Sequence, residues 1–282
     1  MKVYELRNVG YRYPTGEWAL RGVNIEVRKG ETLAVIGPNG AGKTTLLKIM
    51  DALLLPTEGE VLFEGKPVTE ETMTDKDFRK KVGFLFQSPD VMLFSATVLD
   101  DVAFGPIHIW GKAEGSKRAL EALKFLGIEG LADRHPYNLS GGEKKKASIA
   151  AVLSTEPEVL LLDEPTRDLD LKNRNFVLDM IHRWKGEGRT VVVVTHDLRV
   201  IRLADRVYVM DGSVIFEGSP RELFLRPELI ERANLDAPEI VKLFHALGIH
   251  EEVPMSVEEA AEILIKWKRE QSTSKSSTLK EF

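Results

Sequence analysis

An apolar run, Thr32-Leu33-Ala34-Val35-Ile36, passes directly into Gly37-Pro38-Asn39-Gly40-Ala41-Gly42-Lys43-Thr44, and helical patterning follows from Lys43 to Leu54. Five apolar-type residues without alternation read as a strand buried on both faces. Backbone N–H groups in the loop can converge on phosphate oxygens only where side chains do not block the approach, which is the use of Gly37, Gly40 and Gly42. In this pattern Lys43 reaches the β- and γ-phosphates, the Thr44 hydroxyl ligates Mg²⁺, and Thr45 helps to hold the α-phosphate. The chain must therefore build a βα unit whose turn is shaped for a nucleotide.

Strand patterning returns at Val159–Leu162, Thr190–Val194 and Arg206–Met210, with a helical stretch from Lys172 to Trp184. Together with residues 32–36 these predict a parallel α/β core. Asp163 closes the first of these strands, so its carboxylate emerges at the carboxyl edge of the sheet, where it can position Mg²⁺ through water. Glu164 follows and can polarise a water attacking the γ-phosphate. His196 ends the next strand, within reach of the same phosphate.

The remaining segments flank this core. Short strands around Val3–Leu6 and Val23–Val27, linked by the turn Tyr13-Pro14-Thr15-Gly16, predict an antiparallel edge. Residues 87 to about 155 are helical in pattern, notably Ser116–Leu126 and Glu143–Leu153, with breaks expected at Gly105-Pro106 and His135-Pro136. Asp211-Gly212 suits a hairpin to Val214–Phe216, and after Gly218-Ser219-Pro220 the chain turns helical. The Ser-, Thr- and Lys-rich residues 271–282 predict a disordered tail.

Composition excludes several classes. A net charge of −5 gives no bias toward nucleic acid, and the runs Arg79-Lys80-Lys81 and Lys144-Lys145-Lys146 read as solvated helix faces. The absence of cysteine removes disulfide scaffolds and thiolate metal sites and fits a reducing cytosol. No window reaches the ~18 consecutive apolar residues of a membrane span, and the N-terminus lacks a signal-peptide pattern. The expectation is a protein that stays in the cytoplasm.

The second glycine pair, in Leu139-Ser140-Gly141-Gly142-Glu143, stands just before a helix, whose N-terminal amides and dipole favour a phosphate. Ser140 with Glu143 three residues on is also a capping box. With the Gly37–Thr44 loop upstream and Leu160-Leu161-Leu162-Asp163-Glu164 downstream, this chain resembles the ATP-binding cassette (ABC) family, in which LSGGE or LSGGQ is the signature motif. The resemblance covers about residues 1–220. It implies a P-loop NTPase (RecA-like) core with an antiparallel β edge subdomain, an α-helical signature subdomain over about 87–155 and a C-terminal helical extension over 221–270.

The resemblance also implies roles. ATP and Mg²⁺ are the expected cofactors, Glu164 the base and His196 the switch residue. Tyr13 corresponds to the aromatic that stacks on adenine, with Tyr11 a competing candidate. Gln87 senses Mg²⁺ and the attacking water, and Asp170 belongs to the loop that communicates across a dimer. In this family two chains pack head to tail, so that Ser140, Gly141 and Gly142 cap the ATP of a second ABC ATPase subunit. The family more often has glycine or a small residue where Asp168 stands, and glutamine where Glu143 stands.

Phe86-Gln87-Ser88-Pro89-Asp90-Val91-Met92-Leu93-Phe94, with Asp101-Val102-Ala103-Phe104-Gly105-Pro106, is similar to the ATPases of energy-coupling-factor importers, which take up cobalt, nickel or vitamins. The usual pattern there has an acidic residue and a glutamine where Val91 and Met92 stand. This branch implies a transmembrane coupling subunit, a substrate-binding membrane subunit, and a peripheral position on the cytoplasmic face of the membrane. Phe86, Leu93, Phe94 and Phe104 offer more apolar surface than a loop needs, as expected of a groove for a partner helix. The alternative is a soluble ABC ATPase not coupled to transport.

Overall fold

The computed structural model describes residues 1–249 and 252–278, with side chains described as far as Lys268. The chain opens with β1 (Lys2–Arg12) and β2 (Trp18–Arg28), then β3 (Thr32–Ile36), α1 (Lys43–Met50), β4 (Glu58–Phe63) and β5 (Lys66–Pro67). β1, β2, β4 and β5 form an antiparallel sheet in the order β2-β1-β4-β5. β1 and β2 run well past the cores predicted for them, because β1 carries register shifts at Leu6/Val9 and a left-handed Asn8 (φ 52°) that interrupt its alternation.

A second sheet holds the parallel core. After α2 (Lys76–Lys81) come β6 (Val82–Leu85), the helices α3 (Val98–Trp110), α4 (Lys112–Phe125) and α5 (Gly141–Leu153), then β7 (Val159–Asp163), α6 (Leu171–Gly186), β8 (Thr190–Val194), α7 (Leu198–Leu203), β9 (Arg206–Met210) and β10 (Val214–Gly218). The order is β10-β9-β3-β8-β7-β6, parallel throughout except for the β9–β10 hairpin. Strand residues alternate between two cores. Leu33, Val35, Leu161, Val192 and Val194 pack with α1 and the antiparallel sheet, while Ala34, Ile36, Leu160, Leu162, Val191 and Val193 pack with the helices. Each such Val, Leu or Ile side chain stabilises the fold by about 1.5–3 kcal/mol.

α3 corrects one expectation. It passes through Gly105-Pro106 without a break. A proline ring removes the N–H that would bond the carbonyl four residues earlier, here Val102, and that carbonyl instead accepts a 3.0 Å bond from the buried Ser154 hydroxyl at the end of α5. His135-Pro136 does separate α4 from α5. α1 stops at Met50, short of the predicted Leu54, as Ala52 turns left-handed at φ 54°.

The basic runs are less solvated than their charge suggests. Arg79 donates to Asp51 Oδ2 at 2.9 Å and to its carbonyl at 2.8 Å, and Lys81 pairs with Glu64. Asp51 caps α1 with 5% exposure, and burial pushes its carboxyl up to about 7. Lys145 is 3% exposed.

Beyond β10 lie α8 (Pro220–Phe224), α9 (Pro227–Arg232), α10 (Glu239–Ala246) and α11 (Val257–Thr278). α11 extends past Gln271, into the stretch whose composition predicts a disordered tail; the Lys, Arg, Glu and Gln of residues 266–271 are good helix formers and carry the helix onward. Residues 279–282 of that predicted tail lie outside the described residues. Among the described residues no helix is long and apolar enough to cross a membrane.

Candidate active site

The order β3-β8-β7-β6 sets the ends of four parallel strands side by side, so the segments after Ile36, Val194, Asp163 and Leu85 converge. Residues 39–45, Gln87, Asp163, Glu164 and His196 line one cleft of about 280 Å³, closed on the antiparallel-sheet side by Tyr13, Trp18 and Ala19.

The loop's glycines answer mostly to the protein's own backbone. At Gly37 (φ 150°) a Cβ would stand 2.0 Å from the Met210 carbonyl oxygen, and at Gly42 (φ 87°) 2.3 Å from that of Ala19. Gly42 caps α1 without a side-chain oxygen, so the first amides of the helix have no side-chain acceptor and form a ready anion site. The Lys43 ammonium is folded over the loop, donating to the Gly37 carbonyl at 2.7 Å and the Pro38 carbonyl at 2.8 Å. Burial lowers its pKa, and Glu164 and Asp163 oppose that shift.

Thr44 donates its hydroxyl hydrogen to Asp163 Oδ2 at 2.8 Å. The other oxygen, Oδ1, is buried without a partner. Burial raises the Asp163 pKa against the pull of Thr44 and Lys43. A hydroxyl and a half-satisfied carboxylate beside a phosphate loop form an oxygen donor set suited to a hard cation such as Mg²⁺.

Glu164 begins where β7 ends. Its N–H bonds the Val194 carbonyl at 2.9 Å, and its backbone is left-handed at φ 44°. Its Oε1 stands 3.4 Å from His196 Nε2. Burial raises the Glu164 pKa, and burial together with Lys43 and Arg167 lowers that of His196. The pair therefore favours a neutral imidazole beside the carboxylate.

Tyr13 lines the cleft, its hydroxyl 2.8 Å from that of Thr45, whereas Tyr11 is 9% exposed in the core. Trp18 and Arg167 also line the cleft and escaped the sequence reading. Arg167 carried a signal, since it stands three residues after Glu164; Trp18 carried none, because only the β1–β2 pairing brings it there.

Ser140, Gly141, Gly142 and Asp170 do not line this cleft; they gather elsewhere, with each other. Ser140 forms a capping box with Glu143 at the start of α5. A Cβ on Gly142 would stand 2.3 Å from the Asn173 side-chain nitrogen, and Asn173 is itself bonded by Asp170, the N-cap of α6. Asp168 adopts φ 58°, a left-handed conformation that glycine takes freely and aspartate tolerates.

Comparison with known proteins decides the family. The ABC transporter family model matches residues 20–167. The chain belongs to the ABC transporter family. It is 51% identical over 273 residues to a putative ABC transporter ATP-binding protein of Methanocaldococcus jannaschii, covering 94% of this chain and 98% of that one. It is 42% identical to the energy-coupling factor transporter ATP-binding protein EcfA of the same organism, over 90% of this chain and 92% of the relative.

Among solved structures, cbiO1 of Clostridium perfringens, part of the ABC transporter complex cbiONQ, matches with a TM-score of 0.70 at 38% identity, over 86% of this chain and 99% of that one. An ATP-binding cassette in a dimeric post-hydrolysis state bound to ADP and Pi matches with a TM-score of 0.71 at 36% identity, over 77% of this chain and 99% of that one. The ABC fold expected from the motifs is therefore present, and the chain is an ABC ATPase.

Proposed function

We propose that this chain is the ATP-hydrolysing subunit of an energy-coupling-factor importer, and that it drives uptake of a cobalt or nickel ion or a vitamin through membrane partners. The ATPase half of the reading rests on one cleft that gathers Lys43, Thr44, Asp163, Glu164 and His196. Lys43 and the first amides of α1 hold the phosphates. Thr44, Asp163 and Gln87 are the residues that would hold Mg²⁺, which neutralises phosphate charge. Glu164 takes the proton of the attacking water, and His196, neutral and adjacent, donates to the phosphate side.

The cleft lacks a donor set from Ser140–Gly142 on its open side. A second ABC ATPase subunit packed head to tail would supply it, and two composite sites would then close together. The importer half is supported by the likeness to EcfA and cbiO1 and by Phe94 and Phe104, 65% and 50% exposed with rings edge-on at 5.3 Å. Phe86 and Leu93, expected to share that surface, instead pack against or within the cores. This apolar pair, which joins the segment after Gln87 to α3, suits a helix of a transmembrane coupling subunit, with a further membrane subunit binding the substrate. The chain then sits peripherally on the cytoplasmic face of the membrane.

Co-purification with the membrane partner, followed by identification of the bound solute, tests this reading. An intact complex that carries and transports no solute on ATP addition would reject the importer assignment while leaving the ATPase standing.

A further inference from the structure

The β6 ladder ends at Leu85, whose register partner is Leu162, and Gln87 lies two residues beyond it. No strand neighbour therefore fixes the Gln87 backbone. Its carbonyl accepts instead from the ammonium of Lys145, on the inner face of α5, at 3.2 Å. Lys145 is 3% exposed and feels Asp163, Glu164 and Asp168; burial pushes its ammonium down to about 8. Next to it, Lys144 reaches out to Asp90 Oδ1 at 2.7 Å. Successive lysines of α5 thus hold both ends of the short segment from Gln87 to Asp90. A buried ammonium is costly to desolvate, and a methionine would fill the same volume without that cost.

We propose that Lys145 is a positioning residue for ATP hydrolysis: by holding the Gln87 carbonyl it sets where the Gln87 side chain enters the nucleotide cleft, and it ties that setting to the helix that begins with Gly141 and Gly142. The inference rests on the reading of Gln87 as the residue that meets Mg²⁺ and the attacking water. Lys145 touches no substrate atom; it acts through Gln87. Rigid motion of α5, such as a partner's docking at its N-terminus would cause, is passed to Gln87 through one hydrogen bond.

The test uses the full chain with MgATP and compares Lys145→Met, which keeps length and loses the donor, with Lys145→Gln, which keeps an N–H donor. The expected result for Lys145→Met is a folded protein with kcat about tenfold lower, the loss of roughly one hydrogen bond in the transition state. Its KM for ATP stays near wild type, and more Mg²⁺ is needed for half-maximal rate. Lys145→Gln regains most of the rate and the Mg²⁺ dependence. Wild-type kcat and Mg²⁺ dependence in Lys145→Met overturn the proposal, as does equal loss of rate and ATP affinity in both variants, which marks a packing role. If Lys145→Met does not fold, Lys145→Ala is judged by the same criteria. Gln87→Ala separates the two layers. If it leaves rate and Mg²⁺ dependence unchanged, the reading of Gln87 falls and the proposal with it; if it impairs them while Lys145→Met does not, only the role of Lys145 falls.

Discussion

Glu164 Oε1 and His196 Nε2 stand 3.4 Å apart at the ends of adjacent parallel strands. The contact is a product of sheet order: β7 and β8 pair in register from Val159–Thr190 to Asp163–Val194, so each chain leaves its strand beside the other. A buried carboxylate and an imidazole are thereby held side by side by the sheet itself.

Glu164→Gln keeps this shape and removes the proposed base. Hydrolysis should fall by on the order of 10²–10⁴ while ATP binding persists. Size-exclusion chromatography of the variant with ATP should show accumulated dimers. Unchanged turnover would take Glu164 out of its assigned role.

Lys43→Ala and Ser140→Arg should fail differently. The first loses the cation fixed nearest the phosphates and with it ATP affinity. The second, at an exposed helix start that does not line the cleft, should bind nucleotide in the isolated subunit and fail to close a dimer. Mixing the two can restore at most one composite site, so a partial recovery of ATPase activity is expected. Normal turnover by Ser140→Arg alone would contradict a shared site.

Phe94→Glu with Phe104→Glu places charge on the exposed aromatic pair. Basal ATPase activity of the free chain should hold, while transport and capture of the membrane subunit should fall by about tenfold or more, as for loss of an aromatic anchor. A parallel loss of ATPase activity and thermal stability would instead assign these rings to the fold.

Asp51 gives a pH signature of stability. Its folded-state pKa, near 7, lies above the usual carboxylate value because burial outweighs the pull of Arg79. The folded protein thus holds the proton more tightly than the unfolded chain. Its contribution is complete below about pH 4 and is lost as pH rises through about 7, a change on the order of 2–4 kcal/mol. Asp51→Asn does not titrate, so its Tm measured against wild type should climb by several degrees between pH 4 and 7.5. A gap that stays constant across that window would refute the assignment.

Much of the site was legible because its residues end strands or follow them immediately. The runs at 32–36, 159–163 and 190–194 announce buried parallel strands, and Lys43, Asp163, Glu164 and His196 need only that neighbouring strands share an edge. What could not be read depends on partners distant in sequence. Pro106 looked like a break because Ser154, which satisfies the carbonyl of Val102, lies in another helix. Lys145 looked solvated because three lysines in a row carry no sign of which one turns inward. Trp18 reaches the cleft only through the β1–β2 pairing.

The folded-back ammonium of Lys43 has a thermodynamic consequence. Its two bonds to the Gly37 and Pro38 carbonyls use two of the three N–H donors of the ammonium, so the third is left for a phosphate oxygen while the other two hold the head in place. The cation is thereby set in place by the loop it serves, and little side-chain freedom is left to lose when a phosphate is bound.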